Sequence, residues 1–455
     1  MASRTLARNR RLVADLSRHC QLQQRAVSTL RVLATPLPMQ SRPQVHTPRR
    51  HQQSTRLPIQ HVRYASDAPA TLQKTPLHAL HLRHGGKMVE FGGFDMPVQY
   101  ADQSIGDSHR YVREKCGIFD VSHMVQHQFT GPTAAAFLES LTPSDLAALH
   151  PFTSTLSVFL LPTGGILDDT VITKHSDNAF YVVTNAGCRA KDLEYLSEHL
   201  QEWNAKLPAN EQVRHDVMNN HALVALQGPE AANILQTLLP AEESLDTLYF
   251  GQSRFATVNV NGDSVPVHIA RGGYTGEDGF EISVPAEKGE AFTEALLAAN
   301  GGVAKLAGLG ARDSLRLEAG MCLYGHDLND GTTPIEGSLA WVVAKTRRAR
   351  ADFPGASNIL QQIKEGTLMR RVGLFVTGAP AREGSSIVST DGTKTIGFVT
   401  SGCPSPTLRK NIAMGYVEDV YKKSGTEVGV LVRGKMRKAA VAKMPFVPTK
   451  YHKPS

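Results

Sequence analysis

Residues 155–184 read TLSVFLLPTGGILDDTVITKHSDNAFYVVT, and the pattern is that of three short strands joined by two tight turns. Thr155–Leu161 is rich in β-branched, aromatic and aliphatic side chains, and Gly164-Gly165 breaks it. Ile166–Thr173 forms the next strand, and Ser176-Asp177-Asn178 turns the chain into Ala179–Thr184. The period then changes: in Arg189–Trp203, Leu193, Leu196 and Leu200 recur at helical spacing. A second strand–helix unit follows, with Ala222–Leu226, the break Gly228-Pro229, and Glu230–Leu239. Phe255–Val260 and Val265–Ala270 flank the turn Asn261-Gly262-Asp263, which predicts a hairpin. Upstream, residues 133–141 (TAAAFLESL) read as a helix, and His78–His84 as a short helix ahead of a strand at Met88–Phe91. Strands alternating with helices and hairpins predict an α+β region of about 270 residues.

Downstream the character shifts again. Lys345–Pro354 (KTRRARADFP) is basic and ends in proline, as a boundary would. After a helix near 356–364 come short strands at Val372–Thr377, Ile396–Thr400, Ile412–Val417 and Val428–Val432, the spacing of a small β-barrel or sandwich. The division expected is residues 1–65, 66–345 and 346–455.

The 455 residues suffice for two or three domains, and 41% hydrophobic with 20% charged residues is an ordinary globular composition. The net charge of +7 is unevenly spread. Residues 1–66 hold twelve arginines, no lysine and one acid, Asp15, for a local +11, leaving −4 over the remainder. An Arg-rich, Ser-containing, almost acid-free N-terminus has the composition of a mitochondrial transit peptide, with a processing site near Arg63-Tyr64-Ala65-Ser66. A nucleic-acid-binding arm is the rival reading, disfavoured by the absence of lysine and of interleaved stacking residues. No apolar run reaches membrane-spanning length, so neither a membrane nor a nucleic-acid partner is expected. Cys20, Cys116, Cys188, Cys322 and Cys403 are scattered without a C-x-x-C pair, so no metal site is indicated and a reducing compartment fits.

Three segments carry candidate chemistry. In Gly164–Val171 (GGILDDTV), alternation along a strand sends Asp168 and Asp169 to opposite faces, so at least one carboxylate lies among apolar neighbours and its proton affinity rises. Spacing alone does not choose between them, and two hydrated strand-end acids are the plainer alternative. In Arg271–Glu281 (RGGYTGEDGFE), four glycines within eight residues suggest a backbone approached by a flat ligand, with Tyr274 for stacking and Glu281 opening a strand. In Leu309–Met321 (LGARDSLRLEAGM), Arg312 lies in the first turn of a helix, where a cation is disfavoured unless something compensates it, and Asp313–Arg316 reads as a surface pair.

Taken together, GGKMVEFGGFDMPVQY, CGIFDVSHM, GGILDDTVI, VVTNAG, LVALQGP, GYTGEDGFEISVP, LGARDSLRLEAGMCLYG, TSGCPSP and KMPFVPT resemble, in order, the landmarks of the aminomethyltransferase family of the glycine cleavage system. The resemblance implies two interleaved α+β lobes that bind folate and a C-terminal β-barrel as third domain, in a cloverleaf arrangement. It implies transfer of an aminomethyl group from the lipoyl arm of a carrier protein to tetrahydrofolate. Ammonia, dihydrolipoyl protein and 5,10-methylenetetrahydrofolate are then the products. The partners implied are that lipoylated carrier, glycine decarboxylase and dihydrolipoyl dehydrogenase, and the location is the mitochondrial matrix. Tetrahydrofolate is the co-substrate, and no metal is implied.

By the same resemblance Asp169 is catalytic, Glu281, Arg312, Tyr274, Asn185 and Met124 line the folate site, and Tyr451 is a C-terminal contact. The family often has tryptophan where this chain has Phe94. The alternative is a folate-binding assembly factor for mitochondrial iron–sulfur proteins, a type that carries a K-G-C-Y-x-G-Q-E motif where this chain has GYTGEDGFE. A sarcosine or dimethylglycine dehydrogenase would need a Rossmann region for which there is no room. The basic run Arg347, Arg348 and Arg350 offers a candidate surface for docking the carrier.

Overall fold

The computed structural model describes residues 71–454; the Arg-rich segment expected to be a transit peptide, and Cys20 with it, lies outside the described residues. The meander of residues 155–184 is observed. Thr153–Leu160, Ile166–Ser176 and Ala179–Thr184 pair antiparallel in sequence order, and the sheet continues through Val125–Thr130 to Arg214–Val217, five strands in all. Gly164, at φ +87, makes the first turn possible, and a Cβ on Gly165 would stand 1.8 Å from the Asp330 carbonyl oxygen.

A second, six-stranded sheet has the spatial order Ser253–Val260, Asp263–Arg271, Gly279–Pro285, His221–Gln227, Gly117–Asp120, Lys305–Leu306. Its hairpin turns on Asn261 and Gly262, both at positive φ, so that Val260 pairs directly with Asp263. The lobes are interleaved as expected: Gly117–Asp120 belongs to the second sheet, whereas Val125–Thr130, after four intervening residues, belongs to the first. One core, built on Val224, Leu226, Ile269, Phe280 and Phe292, fills the second lobe. Another, built on Phe129, Phe137, Phe159, Phe180 and Leu196, fills the first.

Met369–Val376, Ser386–Val388, Thr395–Ser405, Lys410–Glu418, Glu427–Val432 and Lys435–Ala442 close into an antiparallel barrel, which decides between barrel and sandwich. The helix Ala356–Glu365 contributes Ala356 and Ile359 to a core shared with Val158, Leu160 and Ile166 of the first lobe. Among the described residues no helix is long and apolar enough to cross a membrane.

Two expectations are corrected. Arg316 is not on the surface: it is 2% exposed and bonds Asp313, Asp327 and the Ser401 hydroxyl of the barrel, because Asp327 folds back beneath the helix. Arg347 is likewise buried, donating to Asp352 and to the carbonyls of Ser144 and Glu139. Arg348 donates to the carbonyls of Val343 and Ala340, whereas Arg350 donates to Glu139 and remains exposed, so of the basic run only Arg347 is withdrawn from the surface. Two of the glycines of residues 272–279 are required by packing within the protein. A Cβ at Gly273 would strike the Gln227 side chain at 2.1 Å, and one at Gly279 the Leu226 carbonyl at 2.4 Å.

Candidate active site

The strand Ile166–Ser176 runs past the end of its neighbour. Its ladder with Ala179–Thr184 stops at the pair Val171–Val183, so Asp168 and Asp169 lie beyond the hydrogen-bonded edge. Asn185, the first residue after that neighbour, swings into the gap. Its side-chain amide donates to Asp168 Oδ1 at 2.9 Å and Asp169 Oδ1 at 3.0 Å, and its backbone N–H donates to Asp168 Oδ2 at 2.9 Å. The two carboxylates leave opposite faces of the strand, as alternation requires, yet converge on one amide because no strand separates them there. Asp168 is fully buried and Asp169 half-buried. Burial first, then the neighbouring charge of Asp168, pushes the Asp169 carboxyl up to about 7.

Across from this pair, Tyr274 donates to the Cys322 carbonyl and lies under Arg312, whose guanidinium carbon is 4.7 Å from the ring centroid. Arg312 Nη1 is buried without a hydrogen-bond partner. Burial lowers the pKa of Arg312, with Glu281 and Tyr274 opposing; burial raises that of Glu281, with Arg312 opposing. Glu281 is the acid whose charge acts on this cation in the first helical turn. Burial raises the pKa of the Tyr274 phenol, and the charges of Arg316, Asp169, Arg312 and Asp327 all act on it.

Met124 packs in the cluster of Phe119, Val121, Tyr181, Val183, Ala311 and Leu315, which joins the strand leading to Asn185 with the helix carrying Arg312. Phe94 edges His123, the residue before Met124, at 6.4 Å between centroids. Tyr451 stands apart: it stacks on Phe250 at 4.0 Å, and its neighbour Lys450 donates to the Gly276 carbonyl. No hydrogen bond, ion pair or ring contact among the described residues joins Tyr451 to Asp169, Glu281 or Arg312.

Sequence reasoning overlooked a buried ionic hub behind the glycine-rich loop. Arg113 donates to Glu277, Glu318 and the Thr275 carbonyl, and Glu318 in turn accepts from Ser405 and Thr407 of the barrel. No local pattern announces it, since Arg113 is followed by Glu114 and Lys115, and Glu277 by Asp278.

Comparisons with known proteins bear directly on this arrangement. Residues 77–347 match the GCVT N-terminal domain, and residues 370–448 the glycine cleavage T-protein C-terminal barrel domain. The chain belongs to the glycine cleavage aminomethyltransferase family. A probable mitochondrial aminomethyltransferase of Schizosaccharomyces pombe is 49% identical over 386 residues, 85% of this chain and 96% of that one. The mitochondrial aminomethyltransferase of Homo sapiens is 49% identical over 387 residues, 85% and 93% of the two chains. The crystal structure of the glycine cleavage system aminomethyltransferase T from Bartonella henselae superposes with a TM-score of 0.76 at 36% identity, covering 84% of this chain and all of that one. An enzyme of this aminomethyltransferase family, located in the mitochondrion, is therefore what the fold serves. The assembly-factor alternative finds no support among these relatives.

Proposed function

We propose that Asp169, Asn185, Tyr274, Glu281, Arg312 and Met124 form the pocket in which tetrahydrofolate receives an aminomethyl group from the lipoyl arm of a carrier protein. The observations that carry this reading are a half-buried carboxylate of raised proton affinity and an arginine that lies over the Tyr274 ring with an unused buried donor, under the charge of Glu281. A reduced pterin presents amide and amine groups that need both an acceptor and a donor. Glu281 supplies the first and Arg312 Nη1 the second, and Tyr274 supplies the flat face. Asp169, held by Asn185, offers negative charge to the positive charge that develops as ammonia leaves. A fixed carboxylate does this without solvent rearrangement. Tetrahydrofolate brings the accepting nitrogen; the carrier brings the carbon and leaves as dihydrolipoyl protein. Glycine decarboxylase and dihydrolipoyl dehydrogenase complete the set of partners, and no metal enters this scheme. The division into residues 66–345 for folate binding and 346–455 for the domain that contains the barrel belongs to the same proposal, as does a C-terminal folate contact from Tyr451.

The reading is tested by supplying lipoylated, aminomethyl-loaded carrier with and without tetrahydrofolate and measuring ammonia and methylenetetrahydrofolate. Both products should require tetrahydrofolate; equal ammonia release without it sinks the reading. Glu281→Gln should weaken tetrahydrofolate binding by roughly 10- to 100-fold, the value of a charge-assisted hydrogen bond. An unchanged dissociation constant in a calorimetric titration removes Glu281 from the pocket.

A further inference from the structure

Behind Asp168, away from Asp169, stands a third carboxylate that the reaction does not use. Asp192, in the helix Arg189–Asn204, is fully buried, and neither of its oxygens meets a hydrogen-bond donor. Ligand-type atoms of Asp168, Cys188 and Asp192 lie within 4.8 Å of one another. Two charged carboxylates facing each other in the interior repel, and among the described residues no cation forms an ion pair with them: Lys191, whose charge acts on Asp192, donates to the Tyr324 hydroxyl. The groups facing Asp192 are Asp168, Cys188, Lys191, Thr184 and, through its phenol, Tyr324, which also faces Asp330.

We propose that Asp168 and Asp192 hold one proton between them, and that Asp192 is thereby a positioning residue for Asp169, acting through Asp168 and Asn185. This inference rests on the reading of Asp169 given above. A shared proton satisfies the otherwise orphaned oxygens of Asp192 and halves the charge of the pair. Asp168 can then accept two hydrogen bonds from Asn185 without placing a full second charge against Asp169. The Asn185 amide is pinned by those bonds, and the rest of its donating capacity is aimed at Asp169. Burial and the Asp168 charge push Asp192 up to about 9, in keeping with a proton retained at neutral pH. The Cys188 thiol is held protonated by the same burial.

Infrared difference spectroscopy of the full chain tests the shared proton without reference to turnover. At pH 8 the wild-type protein should show a protonated-carboxyl carbonyl band that disappears at alkaline pH, persists in Asp169→Asn and is absent in Asp192→Asn. Absence of that band from the wild type at pH 8 overturns the proposal, as does one metal ion per chain on elemental analysis, since a metal would replace the proton. Because the wild-type measurement is decisive alone, misfolding of the variant does not shelter the idea. In Asp192→Asn the whole negative charge falls on Asp168, so the acid limb of kcat/KM should move up by on the order of half a pH unit, with KM for tetrahydrofolate unchanged. A limb that stays in place reduces Asp192 to packing and overturns its positioning role. Retained turnover in Asp169→Asn would instead remove the parent reading, while the carbonyl band would still decide the shared proton.

Discussion

Asp169→Asn lowers turnover by about two to three orders of magnitude, the usual cost of removing one fixed electrostatic stabiliser from a reaction site. The amide keeps the size of the side chain and can still bond Asn185 after a flip, so tetrahydrofolate binding should stay within a few-fold. The loss therefore falls on kcat, and single-turnover methylenetetrahydrofolate formation measures it. Turnover near the wild-type value would defeat the assignment. In the wild type, activity should rise through about pH 7, where the carboxyl ionises.

The same substitution should raise stability in alkaline solution, and the sign follows from linkage. The folded-state pKa of Asp169 lies above the ordinary carboxylate value near 4. The folded protein thus holds a proton that the unfolded chain has lost, so wild-type stability falls as pH rises from about 4 to about 7. Asparagine does not titrate, and the difference between variant and wild type in urea should widen over that window. A difference independent of pH would show that Asp169 carries no desolvation cost.

Arg316→Met should destabilise the protein by roughly 3–5 kcal/mol, because it strips a buried carboxylate of its cation. Arg316 and Asp327 are both almost wholly buried and meet at 2.6 Å, with Thr400 and Ser401 completing the shell around Asp327. Burial alone would raise the Asp327 pKa; Arg316 and the hydroxyls outweigh it and hold it below the usual range. The arginine also spans from the Leu309–Glu318 helix to the barrel through Ser401, so its loss loosens the seat of Arg312 one turn away. Asp313→Asn is the control: its side chain is 52% exposed, and the change should cost less than about 1 kcal/mol. Equal midpoints in urea for the two variants would mean that the buried pair contributes nothing beyond a surface one.

Much of this was legible in the chain, for identifiable reasons. The strands of residues 155–184 announce themselves because β-branched residues alternate and glycines punctuate them. The hairpin at Asn261-Gly262 does so because few dipeptides accept two positive φ values. The helix Ala286–Ala298 escaped notice: AEKGEAFTEALLA offers little hydrophobic contrast, and its Gly289, which reads as a breaker, is required by the close approach of Ala222, 2.9 Å from where a Cβ would sit. The strand Lys435–Ala442 escaped too, because KMRKAAVA reads as a solvated run, although Ala439 and Val441 face the barrel interior between its charges. At the site, Asp168 and Asp169 were visible as a pair, but their convergence depends on where the adjacent strand ends. Arg316 was paired with the acid three residues away, whereas its buried partner comes from a loop that no local pattern predicts.

The crossing of Gly117–Asp120 into the second sheet has a consequence for how the molecule is made. That segment pairs with His221–Gln227 on one side and Lys305–Leu306 on the other. A chain emerging amino end first must carry it unmatched for about a hundred residues before the first of those neighbours exists, and contacts of such long sequence separation form slowly. The first lobe, whose strands span residues 125–217, can assemble in the interval, but the second cannot start without reaching back around it. Assembly is therefore ordered by connectivity, and a fragment ending near residue 219 would leave both pairing edges of Gly117–Asp120 open.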